Sequence, residues 1–198
     1  MWCIPPDHNG QFVARMERVL DVYCRPYDPL RPVVCMDEQP VQLISETRTP
    51  IGMSPGQVAK VDYEYVREGS CTVWMFVEAL GCWRDVRVTS QRTAVHWAHQ
   101  IRDLVDHPRY ADAELITLVC DNLNTHDLGS LYQAFDAEAA KRIADKLEIV
   151  PTPKHGSWLN IAESELSVLT RQSLDDRVGS QEAVVRRVHR IMHLLAGG

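Results

Sequence analysis

Two nearly continuous apolar runs, Val33-Val34-Cys35-Met36 and Leu115-Ile116-Thr117-Leu118-Val119-Cys120, each stop at an aspartate, Asp37 and Asp121. A strand that is apolar at successive positions has no solvent-facing side, so both runs belong in a sheet covered by helices on its two faces. Open sheets of this kind gather their sites at the carboxyl ends of the strands. If the two runs are adjacent and parallel, their terminal carboxylates meet. Taken singly, each aspartate is as easily a strand-end turn or cap residue.

The other periodicities fill in the rest of an α/β domain. After a breaker cluster at Pro5-Pro6-Asp7-His8-Asn9, the residues Phe12, Val13, Met16, Val19, Leu20 and Tyr23 recur at helical spacing and predict an amphipathic first helix. Pro26, Pro29 and Pro32 enforce an extended link, and Val33 to Asp37 predicts a short strand whose central position Pro40 limits. Residues 45–57 predict a loop, and Val58 to Val66 and Cys71 to Leu80 predict two strands joined as a hairpin around Glu68-Gly69. There follow a helix from Thr93 to Val105, the strand from Leu115 to Asp121, a helical stretch over 127–146 and a strand from Leu147 to Val150 stopped at Pro151. A helix then opens near Asn160, and a last one runs from Gln181 to Leu195 before Gly197-Gly198. Strands first paired as hairpins and then interleaved with helices give a mixed sheet with helices on its faces. With 198 residues, 45% of them hydrophobic, one core is expected: a helix and linker over 1–32 leading into a single compact unit over 33–198.

No window approaches the roughly 18 apolar residues of a membrane span, and no basic region followed by an apolar stretch reads as a signal peptide, so a cytoplasmic protein without membrane contact is expected. The six cysteines are scattered, with no zinc-ligand spacing, and read as reduced thiols. A net charge of −6 sits awkwardly with nucleic-acid binding, but the charge is uneven. Residues 1–140 carry 12 basic and 20 acidic side chains, whereas residues 141–198 carry 9 and 7, which makes the C-terminal part the better phosphate-facing surface.

A third carboxylate comes from the segment Ser157-Trp158-Leu159-Asn160-Ile161-Ala162-Glu163. Three carboxylates brought to one point are hard oxygen donors suited to Mg²⁺ or Mn²⁺ and to phosphoryl transfer. Glu163 has a competing reading as the far end of a capping box begun by Asn160. Glu165 is a rival ligand, since it falls within the stripe of Ala162, Leu166 and Leu169. His126 reads first as a cap or loop histidine bonded to nearby backbone and second as a metal ligand. Lys154 and His155 sit in a loop where a cation would meet substrate phosphate, or in an ordinary solvated turn.

Taken together, Met36-Asp37-Glu38, then Asp121-Asn122 with His126, then Pro153 to Glu163 resemble the catalytic domain of mariner-like DDE transposases, in the branch found in bacterial insertion sequences. Trp2-Cys3-Ile4-Pro5-Pro6 and Val22-Tyr23 extend the resemblance over nearly the whole chain. It implies a ribonuclease H-like fold with a mixed five-stranded sheet. It also implies a metal site at Asp37, Asp121 and Glu163 holding two Mg²⁺ or Mn²⁺ ions, with Asn122, His126, Lys154, His155 and Asn160 in support. Position 165 is usually apolar in this family, so Glu165 is a departure. The implied activity is DNA cleavage and strand transfer, nucleoid-associated when bound, with transposon ends and target DNA as substrates and a second copy or full-length transposase as protein partner. The helix-turn-helix units that ordinarily precede this region do not occur in these 198 residues. The alternatives are a metal-dependent nuclease of the same fold that uses water alone, and a non-catalytic relic that pairs with full-length transposase.

Overall fold

The computed structural model describes residues 10–49, 51–58, 63–123 and 125–196. The Trp2 to Pro6 block, the Pro5 to Asn9 breaker cluster and the closing Gly197-Gly198 lie outside these residues. In chain order the elements are α1 (Gly10–Tyr23), β1 (Val33–Glu46), β2 (Tyr65–Glu78), β3 (Trp83–Thr89), α2 (Ala94–Val105), β4 (Ile116–Cys120), α3 (Gly129–Ala134), α4 (Ala137–Asp145), β5 (Leu147–Pro151), α5 (Ile161–Leu169) and α6 (Gln181–Ala196). The five strands form one sheet in the order β3-β2-β1-β4-β5. β1, β2 and β3 pair antiparallel, while β1, β4 and β5 run parallel. The expected mixed five-stranded sheet with flanking helices is therefore the one found.

Strand alternation divides the core into two layers. Val34, Met36, Trp74, Phe76, Leu118 and Cys120 face α2, α3 and α4, where Trp97, Ile101 and Leu104 are fully buried. Cys35, Val73, Met75, Val77, Val119 and Val150 face the opposite layer of α1, α5 and α6. Each fully buried large side chain contributes roughly 1.5–3 kcal/mol, which outweighs the few tenths that separate most helix propensities, so packing holds the helices on the sheet. Local signals set their ends. Thr93 caps α2 by accepting from the His96 amide, and Asp136 caps α4 by accepting from Ala139, dividing the 127–146 stretch into two helices.

The antiparallel half differs from expectation. β1 does not stop at Asp37; it continues through Pro40, which pairs with Thr72. Beyond Cys35 it pairs with no strand on the β4 side among the described residues, so Pro40 lies on an edge, where a missing N–H can cost no ladder bond. The hairpin around Glu68-Gly69 does not form. Leu43 pairs with Gly69 and Ile44 with Arg67, so Glu68 bulges from one continuous strand. Gly69 supplies the positive φ of 119°. Residues 59–62 of the predicted Val58 to Val66 strand lie outside the described residues. The hairpin that does form joins β2 to β3, a strand hidden in the sequence because Arg84, Asp85 and Arg87 break its apolar pattern.

Candidate active site

Val33, Val34 and Cys35 pair in parallel register with Thr117, Leu118 and Val119. Carried two residues further, that offset brings Asp37 opposite Asp121. Asp37 still belongs to β1, and its Oδ1 accepts the Glu38 amide at 2.9 Å. β4 ends at Cys120, so Asp121 is the first residue past the strand, its side chain 30% exposed.

The Glu163 carboxylate is presented by the first turn of α5, which one side chain fixes to β1. Asn160, 1% exposed, donates from Nδ2 to the Met36 carbonyl at 2.8 Å and accepts the Ala162 amide on Oδ1 at 3.1 Å. It thus caps α5 and ties it to the strand residue next to Asp37. The capping box does not form, because the Asn160 amide donates to the Ser157 carbonyl at 2.7 Å and makes no use of Glu163. From α1, in the same layer, the Tyr23 hydroxyl donates to the Leu159 carbonyl at 2.7 Å and steadies the same turn. Glu163 is exposed and lines a depression of about 410 Å³ together with Asp37, Glu38, Ser157, Thr170 and Arg171. Glu165 is engaged elsewhere: Arg84 Nε and Nη2 on β3 donate to its two oxygens at 2.8 and 2.9 Å.

Burial pushes the Asp37 carboxyl up from 3.8 to about 6; the Glu38 amide opposes the shift, and the Asp121 and Glu163 charges add to it. Burial likewise raises Glu38 to about 7, against the attraction of His126. His126, only 6% exposed, is no solvated loop residue. Its Nδ1 lies 2.5 Å from Asp121 Oδ1 and its Nε2 lies 3.5 Å from Glu38 Oε2. Burial disfavours its charged form, but the contact with Asp121 and the charge of Glu38 outweigh burial and raise its proton affinity.

The sequence-predicted positions thus divide. Asp37 and Glu163 share the depression, and Asp121, just past the adjoining strand, lies near enough for its charge to act on Asp37. Among the described residues these three do not bring their oxygens within 4.8 Å of one another as a group. The one trio of ligand atoms within 4.8 Å of one another among the described residues is that of Glu38, Asp121 and His126. Asn160 is structural and central. Asn122, Lys154 and His155 are exposed, and the cation lining the depression is Arg171, which the sequence reading missed. It missed Glu38 as well, although a glutamate set within a buried strand was a signal in its own right. The donors fit a hard divalent cation: carboxylates facing one depression raise one another's proton affinity, and a cation there would relieve that repulsion.

A family model described as DDE superfamily endonuclease matches residues 32–185. Solved structures share the fold. A crystal structure of the Mos1 mariner paired end complex with Mn aligns at a TM-score of 0.57 with 18% identity, over 99% of this chain and 58% of that one. The mariner Mos1 paired end complex with Mg aligns at 0.58 with 19% identity, over 100% and 58%. The Mos1 Strand Transfer Complex aligns at 0.56 with 14% identity, over 98% and 62%. The chain therefore has a ribonuclease H-like fold and spans about three fifths of the length of the solved chains it matches. Among curated proteins, none matches. No helix among the described residues is long and apolar enough to cross a membrane.

Proposed function

The chain belongs to the DDE superfamily endonuclease family, and on that premise we propose that it is a transposase catalytic domain that cuts DNA and joins the ends by in-line phosphoryl transfer at Asp37, Asp121 and Glu163. The observation that carries this reading is the parallel register of β1 and β4, which sets Asp37 beside Asp121 while Asn160 fastens the Glu163 helix to the Met36 carbonyl. Mg²⁺ or Mn²⁺ held by these three carboxylates would supply an activated water or 3′-hydroxyl and neutralise charge on the leaving oxygen.

The chain's own side chains do the rest. Arg171, at the rim of the depression, offers a guanidinium to a backbone phosphate. Exposed Arg186, His189, Arg190 and His193 on α6 extend a basic surface for the flanking duplex, in keeping with the positive balance of residues 141–198. The proposed partners are DNA ends and target DNA and, by likeness to a transposase solved as a paired-end complex, a second copy or a longer transposase chain. A cytoplasmic, nucleoid-associated setting follows from that substrate. The Ser157-Trp158-Leu159-Asn160 block favours the bacterial insertion-sequence branch.

Strand transfer separates this reading from a nuclease that uses water alone. With Mn²⁺ and a pre-cut duplex carrying a free 3′-hydroxyl, the chain is expected to form a joined product with a second duplex. Hydrolysis products alone, under conditions that cut the same DNA, would favour the nuclease.

A further inference from the structure

Glu38 and His126 are two buried titratable residues that the three-carboxylate site does not use. Their side chains are 3% and 1% exposed, and the imidazole stacks on Trp97 with ring centroids 5.7 Å apart and planes inclined by 20°. Position 38 follows Val34 and Met36 on the same face of β1, where an apolar side chain would pack without penalty. Burying a carboxylate and an imidazole there costs free energy unless each has a partner. The ring lies between two carboxylates, with Nε2 at 3.5 Å from Glu38 and Nδ1 at 2.5 Å from Asp121, and Arg92 Nη1 stands 3.9 Å from the other Glu38 oxygen. Glu38 Oε2, His126 Nδ1 and Asp121 Oδ1 are buried and make no aligned hydrogen bond among the described residues, so their mutual contacts are close approaches of polar atoms.

Two arrangements suit such a trio: a metal ion held by all three, or a bridge in which the ring holds Asp121. The spacing favours the bridge. Two ligands at right angles on one ion, with bonds of about 2.1 Å, stand roughly 3 Å apart, wider than the 2.5 Å between Nδ1 and Oδ1. The ring is also gripped from both edges and over its face, as expected of a part whose task is to stay still. We propose that Glu38 and His126 are positioning residues, a carboxylate–imidazole pair seated on Trp97 that holds the Asp121 carboxylate in the orientation its metal-binding role requires. This rests on the reading of Asp121 as a ligand given above. Partners that orient a ligating carboxylate govern affinity without touching the ion.

Calorimetric titration of the full chain with Mn²⁺ tests it, with melting curves as a check on folding. Glu38→Gln and His126→Ala are expected to bind Mn²⁺ about 10–100-fold more weakly than the wild type. His126→Asn should recover much of the loss, because its amide nitrogen can stand near the Nδ1 position and donate to Asp121, whereas an amide does not replace an imidazole ligand. Should His126→Ala unfold, Glu38→Gln, which preserves shape, carries the test. Unchanged affinity in Glu38→Gln and His126→Ala overturns the inference and leaves the functional reading standing. A loss that Asn fails to restore makes His126 a ligand and overturns it as well. A wild type that takes up no Mn²⁺, or that binds it no better than Asp37→Asn, overturns the functional reading and this inference together.

Discussion

Asp37→Asn is expected to abolish DNA cleavage and, in EDTA at pH 8, to melt above the wild-type chain. The two effects share one cause. Asp37 is held mostly out of water and faces the charges of Asp121 and Glu163, so its carboxyl rises from 3.8 to about 6. An acid whose folded value is raised contributes stability in full below its unfolded value and loses it as pH climbs through the folded one. Here the window runs from about pH 4 to about pH 6, and by pH 8 the loss is complete. Two units set a ceiling of about 3 kcal/mol, and partial exposure reduces it to roughly 1–3 kcal/mol. Asparagine does not titrate, keeps an oxygen for the Glu38 amide and escapes the loss. Its advantage should therefore vanish at pH 4 and appear at pH 8. Loss of a ligand removes several kcal/mol of transition-state stabilisation, a factor of roughly a thousand or more in rate. Melting curves at both pH values and cleavage of supercoiled plasmid with Mn²⁺ measure the pair of effects; a variant that melts below wild type at pH 8 contradicts the electrostatic account.

Asn160→Ala should lower both stability and cleavage. The substitution removes a helix cap, at about 1 kcal/mol, and leaves the Met36 carbonyl without its donor at a site only 1% exposed, at about 1–3 kcal/mol more. A loss of roughly 2–4 kcal/mol is large beside the 5–15 kcal/mol that holds a domain folded. Cleavage should fall further than folding accounts for, because the first turn of α5 is what presents Glu163. Asn160→Ser separates the two roles: serine restores the cap but is too short to reach β1. Melting should recover by about 1 kcal/mol while cleavage stays low. Full recovery of cleavage in the serine variant would show that the tie to Met36 does not place the helix.

Sequence and structure agree best where hydrophobic pattern and site coincide. Val33 to Met36 and Leu115 to Cys120 are apolar at successive positions because both strands are buried on two faces, and this made their adjacency and their terminal aspartates readable. Periodicity did not separate Glu163 from Glu165, and only the family resemblance pointed to Glu163. In the structure Arg84 engages Glu165 from β3, a strand whose charged residues hide it. A capping box and an asparagine tied to a neighbouring strand look alike in sequence, since the acceptor at Met36 lies 124 residues away. Glu38 was quoted in the Met36-Asp37-Glu38 motif but given no role, because its partners, His126 and Arg92, reach it from distant parts of the chain.

Anomalous scattering from Mn²⁺-soaked crystals of the chain would locate the metal. Manganese is expected bonded, at about 2.1 Å, to carboxylate oxygens of Asp37, Asp121 and Glu163, with Glu165 still paired to Arg84. Manganese on Glu165, or held by Glu38 and His126 while Glu163 stays in solvent, would contradict the three-carboxylate site.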